Sequence, residues 1–196
     1  MKSETISKHF HTLHEQRNEF LPHLHSLSQE QLWYRKGDKK WSTGEHFYHL
    51  YLIARMLKVA IKFSLTLIPY AKLRKNIPFA TDIHDIYAEY KEKHGKGMKA
   101  PWILIPSKKV YHSMNVTELE ELLARETDKI KKLVQNIEES IAGHIVFFDP
   151  IAHYPNLIQS IQLLAIHEKH HFMIMKYNYE MLDASLKIQK TANITY

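Results

Sequence analysis

The chain contains no cysteine. That absence excludes a disulfide framework and a thiolate metal site, so any bound metal must be held by nitrogen and oxygen donors. It also fits a reducing compartment. Glycine and proline are scarce as well, with five and seven copies in 196 residues. Most of the prolines fall in two short stretches, which leaves long uninterrupted segments suited to helices rather than to many short strands. Long apolar runs are missing too. The start, MKSETISKHFHTLHEQRNEF, lacks the apolar centre of a signal peptide, and the longest apolar stretch, FSLTLIPYA, falls far short of the roughly 20 residues of a membrane span. The expectation is a cytoplasmic protein that does not cross a membrane.

What is present is ordinary for a globular chain, with 44% hydrophobic and 24% charged residues. The length suffices for one sizeable core and requires no second, so residues 1–196 are read as a single domain. The formal charge is +6, but the lysines are scattered and no nucleic-acid-binding motif accompanies them, so nucleic acid is not an expected partner. Histidine is the outlier. Fifteen copies are too many for each to have a special role, so placement must separate ligands from surface residues.

Four segments carry helical periodicity. The first, about 3–27, lines up Ile6, Phe10, Leu13, Arg17, Phe20 and Leu24. The second starts at a Ser42 or Thr43 cap with Glu45 in its first turn and is expected to end at Pro69. Residues 70–115 are interrupted by Pro78, Gly95, Pro101 and Pro106, which leaves room for a short helix near 82–93 and an extended connection packed by Trp102, Ile103 and Leu104. The third helix begins after Asn115, with Thr117 as the expected cap. The fourth runs from about Asn156 to Leu182. The predicted class is all-α, a four-helix bundle with a long crossover between helices two and three.

Residues 167–171 read HEKHH and match the H-E-x-x-H pattern of zinc proteases. The extensions that such proteases need are absent. Ile174 and Tyr177 stand where one class requires glycine and histidine, and the other class requires a glutamate well beyond Glu180. The histidine pair survives this test. At helical spacing His167 and His171 lie about 40° apart on the side shared by Ser160, Leu164, Ile174 and Asn178, so both imidazoles point inward. Glu168 and His170 fall to either side of that line. One inward histidine is ordinarily a core residue with a hydrogen-bond partner, but two imidazoles side by side in a core need something to satisfy both, and a divalent cation does so. On the second helix His49 occupies the centre of a stripe formed by Leu52, Ile53, Met56, Leu57, Ala60 and Phe63, with His46 one turn earlier as the substitute. Three histidines without a fourth protein ligand describe a catalytic metal site better than a structural one.

The stretch LSQEQLWYRKGDKKWSTGEHFYHL, the pair in HEKHH and the connection KAPWILIPSKKVYHSMNVTELEELL together resemble the DinB-like (DinB/YfiT-like) superfamily of metal-binding four-helix bundles. That resemblance maps the metal ligands to His49, His167 and His171. It also implies an activity, because members include S-transferases that use low-molecular-weight thiols such as bacillithiol. The expected cofactor is a divalent ion, zinc or nickel, with a low-molecular-weight thiol as co-substrate and a small electrophile as substrate. Two alternatives stand beside this: a metal-binding protein without catalysis, and a metal-dependent hydrolase with Glu168 or Glu45 as base. One departure is Ile174, where many members carry glutamine. Arg17, on the apolar side of helix one, is expected to bury its stem and reach solvent, with an anionic substrate group as its alternative partner, and Trp33 and Trp41 are expected to pack the bundle. The remaining histidines are assigned to surface or local contacts. A homodimer through helix four is expected because Ile158, Ile166, Phe172 and Met173 lie outside its inward stripe.

Overall fold

The computed structural model describes residues 1–37, 40–84, 86–95 and 98–194, with side chains described through residue 181. Among these the chain is all-helical, and its only strand-like feature is an isolated bridge between Val146 and Asn156. Four long helices dominate: α1 (Glu4–His25), α3 (Thr43–Ser64), α6 (Val116–Val134) and α8 (Leu157–Ile194). Short helices fill the connections, namely α2 (Gln29–Trp33), α4 (Ile68–Leu73), α5 (Ile86–His94) and α7 (Glu139–Ala142). No helix among the described residues is long and apolar enough to cross a membrane.

The helix starts follow from local side-chain chemistry. Ser42 caps α3 by accepting from the Glu45 amide, while the Glu45 carboxylate accepts from the Ser42 amide. The same reciprocal arrangement joins Asn115 and Glu118 at α6. Such boxes satisfy amides that the helix leaves open and are each worth on the order of 1 kcal/mol. The cap of α6 is Asn115 rather than Thr117: the Asn115 side chain accepts from the Glu118 amide, and Thr117 already lies inside the first turn of the helix. Pro69 also behaves differently from expectation. The chain passes from α3 through a 3-10 turn at Leu65–Leu67 into α4, and Pro69 sits in the first turn of that new helix, where its missing amide costs nothing.

The long helices pack as neighbours, α3 against α6 and α8, and α1 against α8 and α6. Ile6, Leu13, Phe47, Leu50, Ile61, Leu119, Ile130, Leu157 and Ile161 close the core. Each such side chain contributes about 1.5–3 kcal/mol on leaving water. Because α3 meets two helices, its buried side is Phe47, Leu50, Ala54 and Ile61, and the expected stripe is corrected at Met56 and Phe63, which are exposed. Trp102 and Ile103 are likewise exposed; of the three residues expected to pack that connection, Leu104 alone is buried. The homodimer face expected on α8 loses its basis at two positions. Ile158 is fully enclosed, and Phe172 is buried in a stack on Phe20 of α1 with 4.4 Å between ring centroids. Only Met173 of the four is strongly exposed.

Candidate metal centre

The Ser42 cap starts α3 so that His46 and His49 fall in its first two turns, facing α8. From α8 come His167 and His171, one turn apart. Ligand atoms of His49, His167 and His171 all lie within 4.8 Å of one another. The Nε2 atoms of His49 and His167 are 3.1 Å apart, and the His171 ring lies 4.8 Å from that of His49 and 4.6 Å from that of His167, centroid to centroid. His49 and His171 are buried, and His167 keeps some exposed surface.

Each ring is held from behind at Nδ1. His49 Nδ1–H donates to the Leu104 carbonyl at 2.7 Å, and since a carbonyl only accepts, this bond leaves Nε2 of the neutral ring with its lone pair facing the cluster. Tyr87 of α5 contacts His167 at Nδ1 through its hydroxyl. His46 meets His171 Nδ1 to Nδ1 at 2.9 Å. Trp41 rests on the rings of His46 and His49, at 5.4 and 5.0 Å between centroids. Residues that buttress an imidazole in this way set its tautomer and aim, and their loss typically lowers metal affinity about 10–100-fold. Tyr87→Phe is therefore expected to weaken a divalent ion bound at the triad by about that factor while leaving the fold intact, as read by competition with a chromophoric chelator and by circular dichroism.

Burial is the first reason the four imidazoles resist protonation, and for His46, His167 and His171 repulsion from neighbouring imidazoles is the second. His46 is pushed down to about 4, by burial and then by His49 and His170. His49 and His167 are lowered by burial first, and His171 is lowered strongly by burial and then by His167 and His49. The sign follows by linkage. A histidine that resists protonation in the fold but accepts a proton near pH 6.5 once unfolded lends stability above pH 6.5, and this is lost as the pH falls below it. For His46 alone, with a folded value of about 4, the loss approaches roughly 3 kcal/mol. Thermal melts of the metal-stripped protein should therefore drop by at least about 6 °C between pH 7 and pH 4.5, with net destabilisation on acidification and none on going from pH 7 to pH 8.

The two carboxylates considered as bases are already engaged. Glu168 is completely buried, and Arg17 grips it with two charge-assisted bonds of 2.7 and 2.8 Å while donating a third to Thr127. Its place beside the inward stripe on the helical wheel understated its burial, because α1 packs on that flank of α8 and supplies the counter-ion. The same pair corrects the role considered for Arg17, which neither waits for an anionic group nor extends to solvent. Glu45 is held by Arg35, whose Nε donates at 2.6 Å. Burial works to raise the Glu45 pKa, but Arg35 and the Ser42 amide bring it below the ordinary value. Arg35 also contacts Tyr111, whose hydroxyl is pushed up to about 12 by burial and by Glu45.

Sequence reasoning placed His49, His167 and His171 together, and the structure brings them together. It missed Tyr87 and the Leu104 carbonyl, which reach the cluster from the irregular 70–115 segment, where no periodicity indicates direction. Trp33 packs as expected, with its indole N–H donating to Met114. His144, assigned to surface or local contacts, is buried and bonded to the Ile77 carbonyl. His170 stacks on Tyr87 rather than joining the triad. Beside Trp41 opens a cleft of about 190 Å³ lined by Tyr34, Lys36, Lys40, Asn178 and Tyr179 among others. In comparison with known proteins, the family model described as the DinB superfamily matches residues 12–175, and no curated protein or solved structure matches.

Proposed function

Since the chain belongs to the DinB superfamily, we propose that it is a cytoplasmic, single-domain, metal-dependent enzyme that transfers a low-molecular-weight thiol, such as bacillithiol, to a small electrophile. The observation that carries the metal part is the convergence of three neutral imidazoles, each fixed from behind at Nδ1. This donor set suits zinc or nickel, and the three-histidine set is that of sites which keep a position open. A divalent ion held there supplies Lewis acidity that favours the thiolate form of a thiol at neutral pH. His49, His167 and His171 would hold it, Tyr87 and His46 would hold the aim of His167 and His171, and Trp41 would wall the side of the site. The cleft beyond Trp41 gives room for the rest of a small substrate, and Lys36 and Lys40 favour one that carries negative charge.

Transfer is preferred over hydrolysis for a specific reason. Hydrolysis asks for a general base, and the two carboxylates available, Glu168 and Glu45, are each locked in an arginine pair. In the transfer reaction the thiol sulfur forms a bond to the electrophilic carbon, the bond to the leaving group breaks, and the thiol proton and leaving group pass to solvent. The test is conjugation of bacillithiol, coenzyme A, glutathione or cysteine to monochlorobimane by untagged protein, loaded with zinc or nickel or stripped of metal. Metal-dependent acceleration with at least one thiol is expected. Fully loaded protein that accelerates none of them would overturn the transferase reading and leave a metal-binding protein without this catalysis.

A further inference from the structure

A second group of metal-type donors lies outside the triad. His84, Glu89 of α5 and His153 offer ligand atoms within 4.8 Å of one another. They come from two separate parts of the chain. His84 precedes α5, Glu89 lies within it, and His153 belongs to the 149–154 turn that leads into α8. The Nε2 of His153 lies 3.2 and 3.1 Å from the two Glu89 carboxylate oxygens, the Nε2 of His84 contacts Oε2 as well, and the two imidazoles are 5.2 Å apart between centroids. His153 and Tyr154 are both non-glycine residues in the left-handed region, at φ 57° and 56°. The turn holds them there by two amides on the Asp149 carboxylate and by the Tyr154 amide on the Asp149 carbonyl. Its effect is to present the His153 ring to α5.

We propose that His84, Glu89 and His153 form a second divalent-cation site, partly exposed and built from none of the triad's ligands. Two imidazole nitrogens and one carboxylate are a recognised donor set for zinc, which leaves a fourth position to water. In the metal-free chain Lys93 occupies Glu89 Oε1, and its exposed ammonium can return to water when a cation enters. The site also touches the triad mechanically. Glu89 is two residues from Tyr87, whose hydroxyl meets His167, so a cation here ties α5 to the 149–154 turn and steadies Tyr87 behind the triad.

The experiment is a titration of the full, untagged, metal-stripped chain with Zn2+ alone, with Co2+ in parallel so that the visible absorption reports on coordination. In the intact chain, one equivalent is expected to depend on the second site. Glu89→Gln or His153→Ala should weaken that equivalent by more than roughly tenfold, the low end of the loss caused by removing even an outer-shell partner. The same equivalent should persist in His49→Ala/His171→Ala, which makes failure of the triad reading distinguishable from failure of this one. Lys93→Met removes an ion-pair partner of Glu89 but no ligand, so binding should survive it. Circular dichroism of every variant establishes that the fold is present, and the single exposed substitutions keep the test open should the double variant not fold. The proposal is overturned if no equivalent responds to Glu89→Gln and His153→Ala, or if Lys93→Met abolishes binding as they do.

Discussion

Alanine at His49, His167 or His171 is expected to lower divalent-metal affinity by well over 100-fold, more than the roughly 10–100-fold typical of losing a supporting residue. The reasoning is geometric. Each of the three has its Nδ1 side occupied, by the Leu104 carbonyl, Tyr87 or His46, so the opposite nitrogens are left to face a common point. His170→Ala should do far less, since that ring is stacked on Tyr87 at 4.5 Å and is not one of the converging set. The measurement is a competition titration with a chromophoric chelator on each variant, with the His84–Glu89–His153 cluster disabled in a matched series so that its ion is not counted. Release of metal by His170→Ala but not by His171→Ala would show that the facing nitrogens of α8 are wrongly assigned.

Arg17→Ala should be the most destabilising single change outside the apolar core. The Arg17 and Glu168 side chains are 12% and 1% exposed, so the substitution strands a buried carboxylate and also removes the donor to Thr127. Breaking such a pair from one side typically costs about 3–5 kcal/mol. For a chain of this length that lowers the melting temperature by roughly 6–20 °C. The double change Arg17→Met/Glu168→Leu should recover most of the loss, because a buried ion pair replaced on both sides by apolar groups is often close to neutral. Were Arg17 instead a receptor for an anionic substrate, its removal would leave the melting temperature unchanged and raise KM, and that pattern would refute the structural role.

Much of the fold was legible in local chemistry. The scarcity of glycine and proline, the helical spacing of apolar residues, and the Ser42 cap of α3 are properties of neighbours in sequence, and they placed α1, α3, α6 and the start of α8, although the cap of α6 proved to be Asn115 rather than the expected Thr117. The triad was legible because a polar residue within an apolar stripe is an anomaly that periodicity alone reveals. Pro69 was misread for the complementary reason. A proline blocks a helix that reaches it but suits the first turn of a new one, and the sequence does not distinguish the two.

The sequence by itself determined that this chain is helical, that it has no thiolate with which to bind metal, and that His49, His167 and His171 point inward from two helices. Only the tertiary structure decided what meets them there. Glu168 lies beside the inward line on the wheel, yet it is buried because α1 packs on that flank and brings Arg17 to neutralise it. Leu104 and Tyr87 hold two of the imidazoles from a segment without periodicity, and His153 meets Glu89 across 64 residues of chain. The physical reason is the same in each case. Helical spacing fixes the direction of a side chain about its own axis, whereas its partner depends on how separate segments are set against one another, and that is settled by packing over distances that no local pattern encodes.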